Sequence, residues 1–223
     1  MSSSITNRVV AGESEPGRTT ISRGSLLGTY RRYAPIYDIA FGRVLEHGRK
    51  RMAELVSKLA PESVLEVGVG TGLTLFRYPA QTRVVGVDLS REMLGHSLRR
   101  VRQLADRSIS LVAADAEELC FPNGSFDCVT LPYVLSVTPD PDRLVSELRR
   151  VCRVGGAIVI VNHFSGAPFW RGMEAVLKPL AARVGFRSDF GFDEHILRHG
   201  WRVEHVEPVN LLGLSRLVLL RNE

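Results

Sequence analysis

The sequence predicts one α/β domain, a seven-stranded sheet with helices on both faces, and three observations lead there. Residues 64–67 form a short apolar run rich in β-branched side chains that breaks into glycines at Gly68, Gly70 and Gly72, the pattern of a buried strand ending in a tight loop. A second such run, residues 83–88, ends on Asp88, twenty residues beyond Gly68. Strand-like and helix-like runs then alternate to residue 220, with no internal repeat, low-complexity block or second domain evident.

At 223 residues the chain is long enough to bury a substantial core. It has no apolar run of the ~18 residues a membrane-spanning helix needs, and residues 1–12 lack the apolar core of a signal peptide. Cys120, Cys128 and Cys152 have no metal-site spacing, so reduced, packed thiols in a cytoplasmic chain are expected, and no metal. The net charge of +5 is uneven, because residues 1–60 hold ten basic and five acidic side chains and the remainder is balanced. An anionic partner for that end, nucleic acid or an acidic membrane surface, is one explanation and a solvated basic face is the other.

Residues 1–19 are polar and aperiodic, and disorder is expected. Residues 20–60 are expected to form an N-terminal amphipathic lid. Leu26, Leu27, Tyr30, Tyr33, Ala34 and Tyr37 share one side at helical spacing, while Arg31 and Arg32 lie away from it. Gly24 and Gly28 each cost such a helix about 1 kcal/mol relative to alanine. It is therefore a lid packed on its own domain, or a lid that also gains stability on an anionic membrane. Pro35 suits the first turn of a second helix running to residue 60, whose Arg49-Lys50-Arg51 reads as a solvated face. Residues 61–223 are assigned to the main domain.

After the first strand the glycine loop excludes two familiar alternatives. A dinucleotide fingerprint needs a third glycine where Leu73 stands, and a P-loop needs a following lysine, which is missing. A helix over residues 73–78 is expected next. Asp88, closing the second strand, is placed to accept hydrogen bonds from a ribose diol. Ser90 caps a helix over residues 91–106, with Met93 on its first turn against either an adenine or the core. The third strand, residues 109–113, leads into Asp115-Ala116-Glu117-Glu118. The fourth, residues 126–131, ends in Pro132-Tyr133, at the sheet edge where doubly wound folds bind ligands. A helix over residues 141–151 and a Gly155-Gly156 turn precede the fifth strand, residues 157–161, which ends beside His163. That histidine is structural or part of a substrate site. Residues 170–184 are amphipathic, for core or for acyl chains, and residues 201–209 and 215–220 read as the last strands.

Glu66-x-Gly68-x-Gly70-x-Gly72 resembles the first motif of the class I S-adenosylmethionine (SAM)-dependent methyltransferases. The resemblance implies their Rossmann-like fold and SAM as cofactor. It implies that Glu66, Gly68, Gly70, Thr71 and Gly72 wrap the methionine part, closed over by Tyr30. Asp88, Leu89 and Met93 would then serve the adenosine, Asp115 and Ala116 the adenine amino group, and Pro132 would face the transferable methyl. Phe121-Pro122-x-x-x-Phe126-Asp127 resembles the branch that includes ubiquinone-biosynthesis enzymes. Tyr30-x-x-Tyr33-Ala34-Pro35-x-Tyr37-Asp38, Phe41-Gly42, Gly48-Arg49 and Pro208-Val209-Asn210-x-x-Gly213 resemble bacterial phosphatidylethanolamine N-methyltransferases. This second resemblance implies a monomer at the inner face of the membrane. Leu26, Leu27, Tyr30, Arg31, Arg32 and Tyr33 would meet the anionic lipid and phosphatidylethanolamine, and Tyr37, His163 or Tyr133 would accept the proton the amine must lose. The alternatives are a methyltransferase of a quinone precursor or other small molecule, and a non-catalytic binding protein, against which the intact Glu66, glycines and Asp88 argue. A nucleic-acid partner is not expected, because the basic residues alternate with apolar groups and no nucleic-acid motif is visible.

Overall fold

The computed structural model describes residues 45–104, 106–162, 201–210 and 213–223. They form a seven-stranded sheet, β1 (Ser63–Val67), β2 (Arg83–Asp88), β3 (Ile109–Ala113), β4 (Phe126–Pro132), β5 (Cys152–Asn162), β6 (Arg202–Val209) and β7 (Ser215–Arg221). The order is β3-β2-β1-β4-β5-β7-β6. β1 to β5 are parallel, and β7 runs antiparallel to both β5 and β6. From β1 the chain winds outward through β2 and β3, then crosses back to place β4 on the other side of β1. That reversal opens a crevice beyond the carboxyl ends of β1 and β4, as expected of an open parallel sheet.

Helices α1 (Glu46–Leu59), α2 (Arg91–Val101) and α3 (Pro141–Val151) cover the sheet. Successive side chains of a strand face opposite sides, so β1 feeds two cores. Leu65 and Val67 join α3 residues Leu144, Val145, Leu148 and Val151 in one. Val64 joins Met52 and Val56 of α1 in the other, against which Leu94 and Val101 of α2 pack. The first five strands are flanked by helices, whereas β6 is a largely exposed edge that carries Arg202, Glu204, His205 and Glu207, charges that discourage further strand pairing.

Several boundaries differ from expectation. In place of a helix over 73–78 there is a 3-10 turn, Leu75–Arg77, between Gly72 at φ +82° and Pro79. α2 stops at Val101 rather than 106, because the chain tightens into consecutive i to i+3 bonds, Arg100 O to Gln103 N and Val101 O to Leu104 N. β5 begins five residues early. Gly155, at φ +74°, lies within it as an irregularity that Asn222 holds through Gly155 N to Asn222 O (2.7 Å) and Asn222 N to Gly156 O (3.0 Å). The second expected helix is described from residue 45 onward, as α1, and ends where Ala60 turns left-handed before Pro61. The expected disordered start and lid in residues 1–44, and the expected helix at 170–184, lie outside the described residues.

Candidate active site

The crevice is lined from five places along the chain: the start of α1, the β1 loop, the end of β2 with the first turn of α2, the loop after β3, and the end of β4. Gly68, Gly70 and Gly72 all have positive φ, a conformation that side chains disfavour. A Cβ on Gly70 would meet open space, so this part of the loop presents bare backbone to the crevice. α2 staples the loop from behind through Ser97 Oγ to Gly70 O (2.9 Å) and Arg100 to Thr71 O. Gly72 faces this staple rather than the crevice, since a Cβ there would press on Ser97.

Two acids face the loop. Asp88 accepts from Gly70 N (2.7 Å) through one oxygen and from Ser90 N (2.8 Å) through the other. Burial raises its pKa above the ordinary value against those two bonds. Each oxygen keeps a further lone pair for a ligand hydroxyl. Glu66 is buried. Burial pushes its pKa up to about 7, opposed by hydrogen bonds from Tyr78 and Thr74 and by the Arg49 charge. Its Oε2 has no hydrogen-bond partner among the described residues. A buried carboxylate oxygen left in that state calls for a donor or cation from a ligand.

The loop after β3 supplies the opposite wall. Asp115 Oδ1 accepts from Glu117 N (3.0 Å), and Ala114, Asp115 and Ala116 line the crevice. Glu117 is buried, and its Oε1 accepts from Thr138 Oγ1 and Asp140 N, both at 2.8 Å. It thereby ties this wall to the segment after β4. At the end of β4, Tyr133 sits at φ +60° with its N–H on Val161 O (2.7 Å). Its hydroxyl donates to Leu45 O (3.1 Å) and accepts from Asn210 Nδ2 (2.9 Å).

Glu66, Gly68, Gly70, Thr71, Asp88, Leu89, Met93, Asp115, Ala116, Pro132 and Tyr133 are thus brought to one crevice, while Gly72 stands behind it. Tyr30, Tyr37 and His163 lie outside the described residues. Arg49, read from sequence as part of a solvated face, is instead buried on the crevice wall, 3.6 Å from Glu46. Only Lys50 and Arg51 of that triplet point outward, and Arg51 is bonded to Glu207 of β6 through both carboxylate oxygens (3.0 Å each). Sequence reasoning also missed Glu117, Thr138 and Asn210. Asn210 and Gly48-Arg49 stood in motifs that had no assigned role.

The donor set fits SAM. The unpartnered Glu66 oxygen suits the methionine ammonium, bare backbone at Gly70 allows close approach, and Asp88 suits a diol. Residues 65–160 match the family described as Methyltransferase domain. The phosphatidylethanolamine N-methyltransferase of Cereibacter sphaeroides is 42% identical over 170 residues, 74% of this chain and 81% of that protein. Demethylmenaquinone methyltransferases also match. That of Thermotoga maritima is 31% identical over 86% of this chain and 83% of that protein, and that of Thermus thermophilus is 33% identical over 58% and 61%. Among solved structures, a SAM-dependent methyltransferase of Thermotoga maritima aligns with a TM-score of 0.68 at 20% identity, covering 89% of this chain and 100% of that one. Geranyl diphosphate methyltransferase in complex with SAM aligns at 0.62 and 16% identity, covering 78% and 85%. These two likenesses speak to fold alone. By its crevice and by the relative that shares two residues in five with it, the chain belongs to the SAM-dependent methyltransferases, with SAM as methyl donor.

Proposed function

We propose that this methyltransferase acts on the amine of phosphatidylethanolamine and its mono- and dimethyl forms, making phosphatidylcholine at the inner face of the membrane. The observation that carries this reading is the 42% identity to an enzyme named for that reaction, against 31–33% for the two demethylmenaquinone enzymes above. The Tyr-rich segment around Tyr30, Tyr33 and Tyr37 points to the same branch. In this reading the segment is the membrane-facing arm, with Leu26, Leu27, Tyr30 and Tyr33 toward acyl chains and Arg31 and Arg32 toward anionic head groups.

SAM, when bound, would supply a sulfonium methyl for the acceptor nitrogen, its sulfur retaining the C–S bonding electrons. The protein's part is chiefly to position the two reactants. Glu66 and the β1 loop would hold the methionine end, Asp88 the ribose, and the loop after β3 the adenine. The amine reaches the crevice protonated and must lose that proton before attack. His163 or Tyr37 accepts it, directly or through water. Tyr133 lines the crevice at the end of β4, where an aromatic face turned to the amine would favour the charge that builds on nitrogen by about 0.5–2 kcal/mol.

The test is incubation with SAM and mixed-lipid vesicles, followed by mass spectrometry of the lipids. Mono-, di- and trimethylated lipid is the expected product. Unchanged lipid, together with methylation of a demethylated quinone, would establish the quinone reading instead, which the 86% coverage by the Thermotoga maritima enzyme keeps in play.

A further inference from the structure

Gly48 and Asn210 stand 162 residues apart and meet beside Tyr133, which lines the crevice at the end of β4. Asn210, at φ +64° after β6, aims its side chain at the start of α1. Its Oδ1 accepts from Gly48 N (2.8 Å), and its Nδ2 donates to Tyr133 Oη (2.9 Å) and Ser215 Oγ (2.7 Å). Its own N–H bonds His47 Nδ1 (3.0 Å). The Tyr133 hydroxyl completes the ring by donating to Leu45 O, and Leu45 also lines the crevice. α1 has no cap of its own, since Leu45 at its start is in the helical region and caps nothing with its side chain. Its first turn is held from across the sheet. Gly48 is required by the same closeness, because a Cβ there would overlap the Tyr133 hydroxyl oxygen.

We infer that Asn210 and Gly48 are positioning residues for methyl transfer, acting through Tyr133. Asn210 fixes the Tyr133 hydroxyl and so holds the aromatic side chain, carried on backbone at φ +60°, as a wall of the acceptor site. A left-handed, non-glycine residue at a strand end is costly and persists only where neighbours over-determine it. Here the neighbours are the β4–β5 ladder, Leu45 and Asn210. The hydroxyl proton is committed to a main-chain carbonyl, so Tyr133 contributes its ring and shape, and the proton acceptor lies elsewhere. This assignment rests on the crevice being a methyltransferase site, and its geometry does not depend on which acceptor takes the methyl.

Tyr133→Phe, Asn210→Ala, their double variant, Gly48→Ala, and Gly48→Ala combined with Tyr133→Phe test it. SAM affinity by calorimetry reports that each protein is folded with its cofactor end intact. Tyr133→Phe leaves the Asn210 cap on Gly48 in place and so remains usable should Asn210→Ala fail to fold. A wall misplaced by under an ångström costs on the order of 10- to 100-fold in kcat. Tyr133→Phe and Asn210→Ala are each expected to show such a loss with SAM affinity within about twofold, the double variant being no worse than either single one. Gly48→Ala should lose a similar factor in the wild type and much less in the Tyr133→Phe background, where the clashing oxygen is gone. The pH–rate profile should keep its shape in all variants. Multiplicative losses, a normal kcat and acceptor KM in Asn210→Ala, or loss of a pH limb in Tyr133→Phe alone would overturn the assignment. Turnover is read on vesicles containing phosphatidylethanolamine. If the wild type methylates only a quinone, the lipid reading falls and the same variants are judged on that acceptor.

Discussion

Glu66 couples burial to pH in a direction that can be measured. An ordinary glutamate titrates near 4.5, and this one near 7 because burial disfavours its charge. Between those values the native state holds a proton that the unfolded chain has lost. Stability of the cofactor-free protein therefore falls as pH rises from about 4.5 to 7, and the cost levels off above that, at about 3 kcal/mol. Denaturation at pH 5 and pH 8 should show this slope in the wild type and not in Glu66→Gln. A bound ammonium favours the charged carboxylate, so SAM affinity should rise with pH up to about 7 and be weaker and flatter in Glu66→Gln by calorimetry. Glu117 carries a separate prediction, because it fastens the wall after β3 to Thr138 and Asp140. Glu117→Ala should destabilise the protein by about 1–3 kcal/mol in a urea melt, the cost of leaving buried donors unpaired. Glu66 and Asp88 were legible because a glycine loop and a strand end fix where their neighbours must be. Glu117 was not, since Glu118 beside it has the same chemistry and lies exposed. What separates them is a hydroxyl twenty-one residues away in sequence.

Local sequence specifies α2 and α3 and leaves α1 incomplete. Ser90 accepts from Met93 N (3.3 Å), and Asp140 accepts from Arg143 N (3.1 Å) with Pro141 in the first turn. Both are side-chain caps of local residues, the first of them read from the sequence. Removing the second, in Asp140→Ala, should cost about 1 kcal/mol of stability in a thermal or urea melt while leaving the α3 core face intact. α1 takes its cap from Asn210, so its start could not be read from residues near it. The same contrast runs through the strands. The apolar runs of β1, β2 and β4 were legible because they are buried on both faces. The early start of β5 was hidden because Gly155-Gly156 resembles a turn in isolation, and it takes Asn222, at the other end of the chain, to fold it into the sheet. At residues 73–78, helical composition was outweighed by a left-handed glycine before the segment and Pro79 after it.

For the molecule as a whole, the charge distribution separates cofactor binding from the proposed membrane contact. All of the +5 net charge arises within residues 1–60. Part of the basic charge there is already spent inside the fold, since Arg49, Lys50 and Arg51 of α1 pair with Glu46, Glu54 and Glu207. Apart from Lys58, the rest lies in residues 1–44, with six basic side chains against three acidic. The crevice is lined by Leu45 and Arg49 of the α1 start and by residues between 66 and 139, and among the described residues no helix is long and apolar enough to cross a membrane. If residues before α1 serve as the arm, charge removal there must weaken vesicle binding while SAM binding stays whole. Arg31→Ala with Arg32→Ala should lower partitioning onto vesicles containing anionic lipid by roughly 1 kcal/mol per charge at low salt, shrinking as salt is added. SAM affinity in solution should not move. Lipid methylation should then fall with vesicle occupancy and recover at high lipid, because the chemistry beyond the arm is untouched. A loss that high lipid fails to restore would place the two arginines in the reaction itself, and unchanged partitioning would remove the membrane role of the arm.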